Sequence, residues 1–327
     1  MTMYTLIGIF MALTCAMCFA LCISLLLNAA WPLLRRLGGS LGPVAESRFW
    51  FLVAATPAIA AVMAALLTAL PSYIRYEPQP AERDLGVLLC LTTAMAAGIF
   101  LRGVWNFTRS AWLLSRMSVA LTDDCSAHGG VRNAAYTLVG KSGVLAVFGL
   151  FRQRILVSEQ IERMLHDDEL AAALAHEDAH AEAHHNLVRL LLCFVLDLAA
   201  FAPFKRRVEQ AWREAIEMAA DLAAIRRGNS AVALSSALVK VSRQRMPGEM
   251  SAHLVSTFAP QRCSHLERRV RSLLAYCGDE PKAASPRFGV TLLGFAIGPV
   301  FLLTLAFFLS RAPVLAGAHH VLEAMMR

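Results

Sequence analysis

His176-Glu177-Asp178-Ala179-His180 lies in the middle of a chain of 327 residues, and the rest of the sequence is best read outward from it. Two histidines four residues apart share one face of a helix, so a single metal ion can touch both. Glu177, beside the first histidine, stands where it can take a proton from a water held at that ion. These residue types at this spacing are those of zinc hydrolases, and the chemistry they point to is peptide-bond hydrolysis. Just upstream, Asp167 or Asp168 is the expected cap of this helix, and Leu170, Leu174 and Ala175 lie on its apolar face.

A catalytic zinc takes three protein ligands and leaves one position for water. His184 follows one turn after His180, but three ligands along a straight helix spread over about 12 Å at 1.5 Å per residue, too far for one ion. A better source is the carboxylate-rich stretch Arg213-Glu214-Ala215-Ile216-Glu217-Met218-Ala219-Ala220-Asp221. Glu217 and Asp221 are four apart and share a helix face. Glu217 is the expected third ligand. Asp221 is expected to accept a hydrogen bond from the outer ring nitrogen of a ligand histidine, which fixes its tautomer and raises its basicity. Glu214, on a neighbouring face, is the alternative ligand. The small Ala219 and Ala220 allow the two helices to approach closely.

Around this segment the chain reads as a membrane protein. It is 57% hydrophobic and 17% charged, with a mean hydropathy of +0.52; soluble domains carry about 25% charge. The first 34 residues contain no charged side chain. Four stretches, at about 4–27, 49–71, 85–103 and 288–310, approach or exceed the roughly 20 apolar residues that a helix needs to cross a bilayer. The first has no basic start and no cleavage site before Arg35, so it is expected to stay in the mature chain. Arg35, Arg36 and Arg48 after the first stretch outweigh Glu46, whereas Arg75 and Arg83 face Glu77, Glu82 and Asp84 in the next loop. By the positive-inside rule the N-terminus is outside and residues 104–287 are cytoplasmic. That region holds 23 of the 31 basic and 19 of the 24 acidic residues. A fourth crossing then leaves 311–327 as a short external tail.

Within 104–287, a helix over 106–126 is followed by short Val-, Leu- and Ile-rich runs that predict a small antiparallel sheet, with Leu145–Phe148 and Arg154–Val157 as its clearest strands. Ser158 caps the next helix. Residues 187–204 are apolar apart from Arg189 and Asp197. Placing them as a crossing would separate the histidine pair from the downstream carboxylates, so a membrane-associated or core helix that turns near Pro203 fits better. Further helices are expected at 205–227, 231–245 and 264–277. The eight cysteines do not form a disulfide framework: five lie in apolar runs and three in the cytoplasmic region. The net charge of +7 comes without an aromatic-interleaved basic patch and fits membrane anchoring, with no direct nucleic-acid contact.

Several segments together resemble the membrane metallopeptidases of the beta-lactam-sensing signal-transducer type, peptidase family M56, a group related to the membrane prenyl-protein and heat-shock zinc proteases. They are the His176–His180 motif, Phe148-Gly149-Leu150-Phe151-Arg152 with Ile155-Leu156-Val157, Ala202-Pro203-Phe204 with Glu214, Glu217 and Ala220-Asp221, and Leu266-Glu267-Arg268-Arg269-Val270 with Leu273-Leu274. The resemblance covers about residues 140–275. It implies a mainly α integral-membrane protein with about four transmembrane helices and a cytoplasmic α+β, zincin-like metallopeptidase domain, placed in a bacterial inner membrane. It implies Zn2+ as cofactor, held by His176, His180 and Glu217, with Glu177 as catalytic base and Asp221 behind the ligands. It also implies a protein or peptide substrate, a transcriptional repressor among the candidates, that pairs with the strand near 145–157 by strand addition.

Two departures stand out. The family usually has an aspartate five residues after the second histidine, where this chain has His185, next to His184. Receptor members carry an extracellular drug-sensing domain after the last crossing. This chain has only the short tail there, so any signal is expected to arrive through the membrane segments, their loops or a partner. The competing reading is a non-catalytic membrane sensor or scaffold that keeps the fold. A transporter fits less well, because Asp197 is the one clear intramembrane polar candidate and paired broken helices are not evident.

Overall fold

The computed structural model describes residues 3–76, 86–123, 125–128, 135–138, 144–199, 201–243, 256–257, 263–276 and 311–324. The protein is mainly α-helical. Helix α1 spans Met3–Ala29 and α2 spans Trp31–Gly39; α3 (Pro43–Ala64) runs through a π-helical turn at Ala65–Ala69 into α4 (Leu70–Tyr76), and α5 covers Val87–Asp123. Among the described residues, three helices are long and apolar enough to cross a membrane: Thr5–Ala29, Pro43–Tyr76 and Val87–Arg116. The chain is therefore a multi-pass membrane protein, and three of the four expected crossings fall on these helices. The stretch 288–310 lies outside the described residues.

The second of these helices is 34 residues long, about 51 Å at 1.5 Å per residue, against a hydrocarbon core of about 30 Å. Its excess length is covered by protein. Phe49, Trp50 and Val53 of α3 are buried in one apolar cluster with Leu196, Phe204 and Trp212. The sequence pattern could not separate this part of α3 from a lipid-facing run, because both are apolar. Helix α12 (Ala312–Ala324) occupies most of the segment expected to be a short external tail, and the Ser72 hydroxyl donates to the Leu315 carbonyl at 2.8 Å.

Five short strands form one sheet: β1 Cys125–His128, β2 Ala135–Leu138, β3 Leu145–Phe148, β4 Arg154–Ser158 and β5 Ser256–Thr257. Their order is β1-β2-β4-β3-β5. The sheet is mixed, not antiparallel throughout: β4 inserts between β2 and β3, and β2 and β4 run parallel. Alternation along single strands reveals which runs are strands but not which of them pair. β3 and β4 join through a turn at Gly149, whose φ is +93°; a Cβ there would stand 2.2 Å from the Arg152 carbonyl oxygen. Gly149→Ala combines a left-handed backbone, costing about 1–2 kcal/mol for an L-residue, with that clash. It is expected to lower the thermal midpoint measured in detergent by at least several degrees.

The remaining helices are α6 (Glu159–Met164), α7 (Asp167–Glu182), α8 (His185–Leu198), α9 (Ala202–Arg226), α10 (Ala231–Ser242) and α11 (Cys263–Ala275). Ser158 caps α6, accepting from the Ile161 amide. The run around 187–204 is α8, of 14 residues, about 21 Å and too short to cross. Its polar residue Asp197 accepts a hydrogen bond from Asn106 of α5 at 3.0 Å and is paired with Lys205 of α9. Pro203 sits in the first turn of α9, where a missing N–H costs nothing.

Helix α7, which carries His176 and His180, is fastened at its start. Its N-cap is His166, one residue before the expected aspartates, which instead lie in the first turn and favour the positive end of the helix dipole. Glu169 accepts from the His166 amide at 2.9 Å and also from Ser236 and Lys240 of α10. Burial opposes ionisation of Glu169, but these donors hold its carboxyl down at about 2. A depressed folded-state value gives stability that is present above the ordinary carboxylate range and lost as pH falls from about 4.5 toward 2. Glu169→Gln is expected to flatten the decline in melting temperature over that window, measured by circular dichroism.

Candidate active site

Helix α7 packs between the sheet and helices α9 and α10, over a core that includes Val147, Ile155, Ala172, Ala173, Leu234 and Leu238. Its one-turn spacing brings His176 and His180 to the same face, both fully buried, with their Nε2 atoms 3.1 Å apart. Helix α9 lies against that face. The small Ala220 and Ala224 on α9 are buried, as close packing requires. Glu217 of α9 places carboxylate oxygens 3.6 Å from His176 Nε2 and 3.8 Å from His180 Nε2.

These are ligand-to-ligand distances. Tetrahedral bonds of 2.0–2.1 Å separate neighbouring ligand atoms by about 3.3 Å. His176, His180 and Glu217 offer ligand atoms within 4.8 Å of one another, and the set fits one zinc ion. Glu177 supports the same reading. It is fully buried, no side chain among the described residues hydrogen-bonds its carboxylate oxygens, and the Val147 backbone lies against it. Burial pushes its carboxyl up to about 8, against the pull of His176. A buried carboxylate with no side-chain partner, beside three converging ligand atoms, is costly unless it works on something bound there.

The outer surroundings of the ligands are ordered. His176 Nδ1 stands 2.9 Å from Asp221 Oδ1, the contact expected of Asp221. Burial disfavours a charged His176, yet Asp221 and Glu217 raise its pKa to about 9, whereas burial pushes His180 well below the usual histidine value. Burial also opposes ionisation of Glu217 and Asp221, but the Arg269 guanidinium holds both well below the usual carboxylate range. Arg269, from α11, donates to Asp221 through Nε at 2.8 Å and Nη2 at 2.6 Å, and to Glu217 through Nη1 at 2.9 Å.

Arg269 is the member of this cluster to which the sequence alone assigns no role. The signal was present: it shares a face with Leu266, Val270 and Leu273, and a charge on an apolar stripe calls for a buried partner. Glu214 does not join the cluster. Its carboxylate is engaged by Arg35 at 2.9 Å, Arg268 at 2.6 Å and His265 at 3.1 Å. His184 is exposed in the turn between α7 and α8, whereas His185 reaches back to His180, with Nδ1 atoms 2.6 Å apart. Asn186 pins the sheet to the site, donating to the carbonyls of Val147 at 2.9 Å and Gly149 at 3.2 Å.

Three membrane-length helices and a buried His-Glu-x-x-His/Glu constellation define a membrane protein with a zinc-peptidase type of site. The chain belongs to the family described as BlaR1 peptidase M56, which it matches over residues 85–273. No curated protein matches it.

Proposed function

We propose that the protein is a membrane zinc endopeptidase that cleaves a protein substrate at or near the membrane surface. The observation that carries this reading is the buried Glu177 carboxylate, with no side-chain hydrogen-bond partner, beside the convergent His176, His180 and Glu217. Zinc held there would supply a Lewis acid for the scissile carbonyl and lower the pKa of a water. Glu177 takes a proton from the attacking water and returns one to the leaving amine, and its raised pKa suits both roles. Asp221 and Arg269 keep the ligands oriented and the cluster's charge balanced.

Strand β3 runs beside the site, and among the described residues its outer edge pairs with the two-residue β5. An extended substrate that displaced β5 would add a strand there. A cleft of about 540 Å³ next to His185, walled by Phe51 and Leu52 of α3 and Trp212 and Ile216 of α9, would take an apolar substrate side chain. Because α3 forms one wall, recognition is tied to the membrane. We place the site in the cytoplasm, from the basic loop at Arg35 and Arg36. The substrate is then a cytoplasmic or membrane protein, and regulatory signalling is the role that fits the family.

The test is to incubate the purified, detergent-solubilised chain with unfolded protein substrates and follow peptide release. The account expects cleavage that a zinc chelator abolishes and added zinc restores. A zinc-loaded, folded chain that cleaves nothing, including its own membrane's proteins, would favour the sensor or scaffold reading.

A further inference from the structure

The two ligand histidines are held from behind by different chemistry. His176 Nδ1 faces a carboxylate, Asp221, at 2.9 Å, whereas His180 Nδ1 faces another imidazole, His185 Nδ1, at 2.6 Å. We infer that His185 is a positioning residue for His180, an inference that rests on the zinc-site reading above. For His180 Nε2 to offer its electron pair to a metal, His180 Nδ1 must carry the ring proton. His185 Nδ1 then accepts that proton in a hydrogen bond, with the His185 proton on Nε2. One pair of tautomers satisfies both rings, and it is the pair that aims His180 at the ion.

The backbone is shaped to make this contact. On a straight helix, residues five apart diverge by about 140° around the axis at 3.6 residues per turn, so His185 would point away from His180. The helix does not continue. Helix α7 stops at Glu182, and His184 adopts φ 50° and ψ 40°. It is the single non-glycine residue with positive φ among the described residues. This left-handed residue reverses the chain, and α8 begins at His185 with its ring returned to His180, the centroids 4.8 Å apart and the planes at 66°. The Trp212 ring stands edge-on to His185 at 6.3 Å between centroids. A residue in an uncommon conformation next to a ligand helix is placed for a purpose. The consequence is an uneven site: Asp221 strengthens His176 as a donor with a full negative charge, and His185 supports His180 with a neutral acceptor.

Variants at one position separate this role from packing. His185→Leu removes the acceptor. His185→Asn puts an oxygen where Nδ1 stands, His185→Gln puts its oxygen where Nε2 stands, and His185→Asp supplies a carboxylate. Zinc affinity of the purified full chain would be measured by competition with a chromophoric chelator, and the visible spectrum of the cobalt(II)-loaded chain would report ligand geometry. The expectation is a loss of about 10- to 100-fold in zinc affinity for His185→Leu and His185→Gln, with an altered cobalt spectrum. His185→Asn should return to within about threefold of the parent, and His185→Asp should equal or exceed it.

Should His185→Leu fail to fold, the contrast between Asn and Gln decides, since both are polar and differ in where the acceptor sits. Unchanged affinity and cobalt spectrum in Leu or Gln would overturn the inference, as would an Asn variant no better than Gln. If the parent chain binds zinc and Glu217→Ala loses it while His185→Leu does not, the zinc site stands and only the role of His185 falls. A folded parent chain that binds no zinc overturns both.

Discussion

Glu177→Gln is expected to reduce peptide hydrolysis by roughly 10²- to 10⁴-fold, the usual contribution of a general base, while zinc content stays that of the parent. The substitution keeps the shape of a side chain that is fully buried and removes its capacity to take a proton. No side chain among the described residues hydrogen-bonds the Glu177 oxygens, and the glutamine oxygen can still face the Val147 backbone as the carboxylate does. Stability should therefore fall little, or rise, since burial penalises the ionised carboxylate. Cleavage at the parental rate in a zinc-loaded Glu177→Gln chain would remove Glu177 from the mechanism. Equal inactivity of both chains would return the scaffold reading.

Arg269→Met should have the largest effect on the fold of the site. Arg269 is buried and donates three hydrogen bonds to two buried carboxylates, Glu217 and Asp221. Removing the cation leaves those carboxylates without their main counter-charge, and breaking a buried pair in this way costs about 3–5 kcal/mol. A loss of that size corresponds to a drop of roughly 10 °C in melting temperature. Zinc should recover part of it, because the ion supplies positive charge to the same carboxylates. The measurement is thermal melting with and without added zinc. A variant as stable as the parent, and indifferent to zinc, would show that Arg269 does not hold the ligand pair together.

The site was more legible in the sequence than the fold around it. Helical periodicity alone put His176 with His180 and Glu217 with Asp221, and the need for a third ligand joined the two pairs. Glu214 competed with Glu217 on sequence because the two are three residues apart on one helix. What separates them is tertiary: Arg35 from α2 and Arg268 from α11 claim Glu214. Arg269 was visible as a charge on an apolar stripe, but its partners lie on another helix 48 and 52 residues away in the chain. The contact of His185 with His180 depends on one left-handed residue, and an exposed histidine carries no composition signal for that conformation. Hydropathy marked the membrane-length helices but not where they end, since Phe49 and Trp50 are as apolar against protein as against lipid. The parallel pairing of β2 with β4 is likewise a matter of chain path rather than local pattern.

The most direct measurement is zinc per chain, by elemental analysis, in the purified detergent-solubilised protein and in Glu217→Ala. The account predicts about one zinc in the parent chain, lost or strongly reduced in the variant, because a catalytic zinc depends on three protein ligands. A folded parent chain that takes up no zinc when it is supplied would contradict the metal site itself, and zinc retained in full by Glu217→Ala would contradict the ligand set.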